Sequence, residues 1–117
     1  MQAVIHAKAY LREHGELSFS LITYYEILRG LKVKGASVQR DKFERMASKN
    51  EILPITTQVI LRATDIYADL SRRGALIGDA DILIAATALE YGLALTTNNT
   101  RHYGQVPGLT LQNWLFP

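Results

Sequence analysis

The chain contains no cysteine. That excludes disulfides, zinc sites built on thiolate and thiol nucleophiles, so any metal must be held by oxygen or imidazole. The same absence fits a reducing compartment, and a cytoplasmic location is the expectation. No apolar run approaches the roughly 18 to 20 residues of a membrane span, and the opening "MQAVIHAKAYLREHGE" is amphipathic without a signal-peptide core. No membrane association is expected. A Gly-rich phosphate loop is also missing, which argues against nucleotide-binding enzymes. A dense basic tract is missing too: 13 Lys and Arg against 11 Asp and Glu give a net charge of +2 and a pI near 9.0. Such a balance permits a polyanionic partner without announcing one. With no linker, repeat or low-complexity segment, 117 residues that are 48% hydrophobic and 21% charged read as one domain over residues 1–117 with one core.

What is present is an alternation of helical and strand-like patterns. From Gln2 to His14, Val4, Ile5, Ala7, Tyr10 and Leu11 recur at helical spacing, and Gly15 follows as a C-terminal cap. The segment "ELSFS" alternates as a strand before a long apolar helix, "LITYYEILRGLKVK", from about Leu21 to Lys34. Gly35 breaks that helix, and "ASVQRDKFERMASKN" predicts another with Val38, Phe43 and Met46 buried. "EILPI" reads as a short buried strand. Thr56 or Thr57 then caps a helix carrying Val59, Ile60, Ala63, Ile66, Tyr67 and Leu70, which ends near Arg72 and Arg73 before Gly74. After "GALIG" come a helix from Asp79 to Tyr91, stopped by Gly92, the strand "LALTT", a loop "NNTRHYGQVPG" and a last strand "LTLQNW". Strands alternating with helices indicate an α/β domain with a mainly parallel sheet, whose sites form beyond the carboxyl ends of the strands.

Several oxygen-bearing side chains fall at that edge. Glu26 lies in mid-helix, off the stripe formed by Leu21, Tyr24, Tyr25, Leu28 and Leu31, with Gly30 one turn later leaving room beside it. It is either a site carboxylate or a solvated glutamate paired with Arg29 or Arg12. Asp79 and Asp81 open a helix, where capping and the helix dipole explain at least one of them. Capping does not require a second aspartate ahead of "ILIAATAL", a run so apolar that its helix must be almost wholly buried. Thr97 and Asn99 follow a strand, as a polar turn would or as site groups would. Arg101 and His102 add positive charge, and His102 is either a surface residue or a weak phosphate contact.

The blocks "SLITYYEILRG", "LIGDADILIAATAL", "LTTNNTRHYGQVPGL" and a terminal "W" together resemble the PIN domain, specifically the VapC-like toxins of bacterial toxin-antitoxin pairs. The resemblance implies a three-layer α/β/α sandwich and metal-dependent endoribonuclease cleavage of RNA by clustered acidic side chains. It implies Mg²⁺ or Mn²⁺ as cofactor, a cognate antitoxin whose C-terminal segment occupies the groove, and a homodimer. On that pattern Glu26 and Asp81 are the catalytic and metal-holding carboxylates. Asn99 stands where many members carry a fourth acid, with Thr97 as its hydroxyl neighbour. Asp79 has no obligatory counterpart and is a cap, a supporting group or an auxiliary ligand; Arg101 and His102 are candidate RNA contacts. Hard divalent ions suit such residues, since they prefer carboxylate and water oxygens and generate their own nucleophile from water.

The family pattern opens with a hydrophobic strand ending in Asp-Thr-Asn, whose aspartate is usually the central metal ligand. Met1 here falls inside what resembles the following helix. The expectation is an N-terminally truncated PIN-like sheet lacking its first strand, with backbone groups unpaired on either side of the gap. A start assigned too far downstream is the favoured cause, ahead of deliberate shortening or a degenerate gene product. Weak or absent nuclease activity is then expected, with a dimer or partner completing the exposed edge. The alternative function is a catalytically inactive truncated fold that still binds antitoxin or RNA. A receiver-like signalling domain is disfavoured, because neither "ILPI" nor "LALTT" is followed by the aspartate or lysine it requires.

Overall fold

The computed structural model describes residues 9–13, 16–97 and 100–112. Along the chain it forms β1 (Ala9–Glu13), β2 (Glu16–Ser20), α1 (Leu21–Lys34), α2 (Ser37–Ser48), β3 (Glu51–Leu53), α3 (Thr57–Arg72), α4 (Asp79–Tyr91), β4 (Ala94–Thr97), α5 (Thr100–Tyr103) and β5 (Leu111–Gln112). The strands make one sheet in the order β3-β2-β1-β4-β5. Strands β2 and β3 pair in parallel, as do β4 and β5, whereas β1 is antiparallel to both β2 and β4. The sheet is therefore mainly parallel, as expected, with one reversed strand in its middle.

That middle strand corrects two expectations. The helix predicted over Gln2–His14 is not formed over Ala9–Glu13, which is β-strand; residues 2–8 and 14, with the capping role given to Gly15, lie outside the described residues. The gap expected between the neighbouring strands is occupied, with Leu11 opposite Ser18 on β2 and opposite Leu95 on β4. The physical reason is the same for both. Two strands flanking an empty slot leave rows of buried N–H and C=O groups without partners, and satisfying them outweighs the weak helical preference of a short amphipathic segment.

The helices follow their caps. Ser20 ends β2 and opens α1, its Oγ accepting the Thr23 N–H at 2.9 Å and donating to Thr23 Oγ1 at 2.9 Å. Gly35 closes α1 at φ 65°, a left-handed conformation that glycine adopts without a Cβ clash. Of the two threonines ahead of α3, Thr56 is the cap, its Oγ1 accepting the Val59 N–H at 3.2 Å.

Burial splits the core in two. Phe19, Ile27, Phe43 and Ala47 form one cluster; Leu53, Val59, Ala63, Ile66 and Leu70 join the apolar residues of α4, Leu95, Tyr103 and Val106 in the other. Adjacent residues of β3 serve different clusters, Ile52 the first and Leu53 the second, as the alternation of a strand requires. Helices therefore cover both faces, which is the three-layer α/β/α arrangement. Val38, expected inside, is 63% exposed. It precedes Phe43 by five positions, about 140° around the helix at 3.6 residues per turn. Ile60 and Tyr67, also expected inside, are exposed because each lies one position past the buried stripe of Val59, Ala63, Ile66 and Leu70. The apolar "ILIAATAL" segment is buried as predicted, with Leu83 and Leu89 only partly covered.

Candidate functional site

The carboxyl ends of β2 and β4 lie at one edge of the sheet, and α1 and α5 follow from it directly. The antiparallel β1 brings its amino end to the same edge, where Ala9 pairs with Thr97. A middle strand running forward would present its last side chains there; this one presents Ala9.

Helix α4 opens toward the site. Its N-cap is Gly78, and no side chain caps it, which corrects the expectation that capping accounts for Asp79 or Asp81. Residues two apart on a helix do not share a face. Asp79 accordingly points out and is exposed, while Asp81 is 6% exposed at the mouth of the most deeply buried helix of the fold.

Asp81 has company. The Tyr103 hydroxyl donates to its Oδ1 at 3.0 Å, and His102 Nδ1 lies 3.9 Å from its Oδ2, close enough for an ion pair when the imidazole is protonated. His102 is half-exposed, so of its two expected roles it takes a place at the rim beside the buried carboxylate. Burial, the negative charge of Asp81, the hydrogen bond to it and the charge of Glu26 all push the Tyr103 phenol far above its ordinary pKa. The hydroxyl is a proton donor at any physiological pH. Glu26 thus acts on the same phenol as Asp81, although the two carboxylates come from different helices.

Glu26 is half-buried on α1. The room predicted beside it at Gly30 exists, since a Cβ built there meets nothing within 4 Å. The same fact means that packing does not demand glycine at that position. Thr97 is fully buried at the end of β4. Asn99 lies outside the described residues. Arg101 is exposed on α5, next to His102. Among the described residues, no group of three or more His, Cys, Asp or Glu side chains is arranged to hold a metal ion, and no helix is long and apolar enough to cross a membrane.

Sequence reasoning missed Tyr103, which sat within a segment read as loop. The signal was an aromatic residue amid a polar stretch, directly after Arg101 and His102 and two positions past the start of what is in fact the short helix α5. The turn that holds it is tight: Gly104 N–H donates to Thr100 O at 2.8 Å, and a Cβ on Gly104 would stand 2.8 Å from that same oxygen. Gly104→Ala is expected to destabilise the fold by about 1–3 kcal/mol, the usual effect of overpacking. Urea denaturation would check this, with an unchanged midpoint counting against so tight a turn.

A family model described as PIN domain matches residues 2–108. The chain is 32% identical over 100 residues to the tRNA(fMet)-specific endonuclease VapC of Salmonella typhimurium, covering 84% of this chain and 75% of that protein. It is 35% identical over 103 residues to Ribonuclease VapC2 of Haemophilus influenzae, covering 86% and 77% respectively. Among solved structures, VapBC2 from Rickettsia felis bound to a DNA fragment from its promoter matches with a TM-score of 0.79 at 26% identity, covering 86% of this chain and 77% of that one. DNA-bound VapBC from Salmonella typhimurium matches with a TM-score of 0.77 at 32% identity, covering 83% and 74%.

Proposed function

From the premise that the chain belongs to the PIN-domain family and is VapC-like, we propose that it is a divalent-metal-dependent endoribonuclease of a toxin-antitoxin pair. The observation that carries this reading is Asp81: a carboxylate buried at a sheet edge, hydrogen-bonded to a buried tyrosine and sharing that tyrosine's field with Glu26. The relatives named above are ribonucleases, and the solved neighbours are toxin-antitoxin complexes.

The donor set suits a hard ion of the Mg²⁺ or Mn²⁺ class. Such ions retain several waters and are commonly held by one or two carboxylates together with substrate phosphate oxygens. Asp81 and Glu26 would hold it, and a bound ion would supply an activated water and offset the charge that develops on the phosphate. The chain's own residues do the rest. Asp81 supplies a fixed negative charge from a site with little water, where electrostatic attraction is stronger than in bulk. Glu26 adds a second from the facing helix. Thr97 and Asn99 are supporting polar groups, and Asp79, turned outward, lends negative potential at most. Arg101 and His102 sit where an RNA backbone approaching Asp81 would meet them.

The partners in this reading are RNA, a cognate antitoxin and a second copy of the chain. Leu21 and Tyr25 on α1, and Ile60, Leu61 and Tyr67 on α3, are exposed apolar side chains available to such contacts. A second reading, a fold that binds antitoxin or RNA without cutting, is favoured by the two-carboxylate donor set and by Ala9 at the site end of the middle strand.

The test is cleavage of structured RNA. With Mg²⁺ or Mn²⁺ present the chain is expected to cut, and chelation by EDTA should reduce the rate by at least about 100-fold, reversibly on adding the ion back, because an ion contributes several kcal/mol at the transition state. RNA retained without cleavage, with or without metal, would favour the second reading.

A further inference from the structure

We propose that Tyr103 is a positioning residue for Asp81: its hydroxyl holds Oδ1, and so turns Oδ2 toward His102 and the open side of the site as the oxygen available to a divalent ion. The inference rests on the metal-dependent reading above and adds to it a residue that holds no metal itself.

Three observations carry it. Tyr103 is 1% exposed, so its ring belongs to the core, where phenylalanine would pack as well. A hydroxyl buried there is costly unless it is bonded, and its bond goes to Asp81 Oδ1 at 3.0 Å. The backbone that carries the ring is itself tied down. Val106 N–H donates to Tyr103 O at 3.1 Å, Gln105 N–H to His102 O at 3.3 Å and Gly104 N–H to Thr100 O at 2.8 Å. A phenol anchored in this way is a rigid strut against a side chain that has two torsions to lose.

The two oxygens of Asp81 consequently face different surroundings. Oδ1 meets a buried donor. Oδ2 meets a half-exposed imidazole at 3.9 Å, and the nearest approach of a Cβ built on Gly78 is 3.8 Å, an ordinary contact that leaves Oδ2 uncrowded from that side. Partners that orient a ligating carboxylate in this way typically contribute about 10- to 100-fold to metal affinity.

The test measures Mn²⁺ binding to the full chain by titration calorimetry, alongside the thermal unfolding midpoint, for the wild type, Asp81→Asn and Tyr103→Phe. The expected result is binding by the wild type, loss in Asp81→Asn, and affinity weakened by about 10- to 100-fold in Tyr103→Phe. RNA cleavage by Tyr103→Phe should then recover as Mn²⁺ is raised to saturation, a rescue that a merely structural defect would not show. If Tyr103→Phe melts lower yet binds Mn²⁺ as the wild type does, the positioning role is wrong while the metal reading stands. If the wild type binds no Mn²⁺, both fall together. Should Tyr103→Phe fail to fold, 4-fluorophenylalanine at position 103 fills nearly the volume of the tyrosine without a proton to donate, and the same comparison applies.

Discussion

Asp81→Asn is expected to lower RNA cleavage by at least about 1,000-fold while leaving the fold intact, since several kcal/mol of transition-state stabilisation through a bound ion correspond to that factor. Asparagine keeps the shape of aspartate and one oxygen, so the Tyr103 hydroxyl retains an acceptor and the mouth of α4 retains its packing. What disappears is the charge. Removing it forfeits a charge-assisted hydrogen bond but also relieves the desolvation of a buried carboxylate, and these effects oppose each other. Stability should therefore move by no more than about 1 kcal/mol in either direction, about the net worth of one hydrogen bond. Quantitative cleavage assays paired with thermal unfolding separate the two readouts. Retained cleavage would remove Asp81 from the chemistry; a large loss of stability would make it a structural carboxylate.

The second large effect is expected on the other face of the sheet. Phe43 is fully buried, packed edge-on against Phe19 with ring centroids 5.8 Å apart and tilted against Tyr24 at 5.7 Å. Aromatic pairs of this geometry add to the burial itself. Phe43→Ala should destabilise the protein by about 3–5 kcal/mol. For a domain whose total stability is about 5–15 kcal/mol that is a large share, and the unfolding midpoint should fall by roughly 10–20 °C. Its cluster is small, with Phe19, Ile27 and Ala47 as the other buried members, so little is left to close around the cavity. Because Ile27 and Tyr24 sit on the helix that carries Glu26, a loosened α1 should also cost activity. A midpoint shift of only a few degrees would mean that α2 detaches without disturbing the rest.

Much of this was legible in the sequence wherever local chemistry and the fold agree. The helix Leu21–Lys34 carries its own serine cap and terminal glycine, and Asp79–Tyr91 is too apolar to be anything but buried, which is what made Asp81 conspicuous. The failures occur where a distant part of the chain decides. Ala9–Glu13 has a helical pattern but is strand, because the vacancy it fills is created by β2 and β4. Val38, Ile60 and Tyr67 are apolar and near the buried stripes, yet a single step around a helix takes each to the surface. Tyr103 was hidden for a related reason: nothing within "NTRHYGQ" shows that its hydroxyl meets a carboxylate 22 positions earlier. Asp79 and Asp81 are indistinguishable by residue type, and only the phase of α4 separates them.

The reversed middle strand also bears on how the molecule reaches its native state. Its pairing with β2 joins near neighbours, Glu13 opposite Glu16, whereas its pairing with β4 joins residues from nearly opposite ends of the chain, Ala9 opposite Thr97. Closing a long loop is slower and entropically costlier than forming a hairpin. One edge of β1 should therefore zip among the first contacts to form and the other among the last, so this five-residue strand records both the start of folding and its completion.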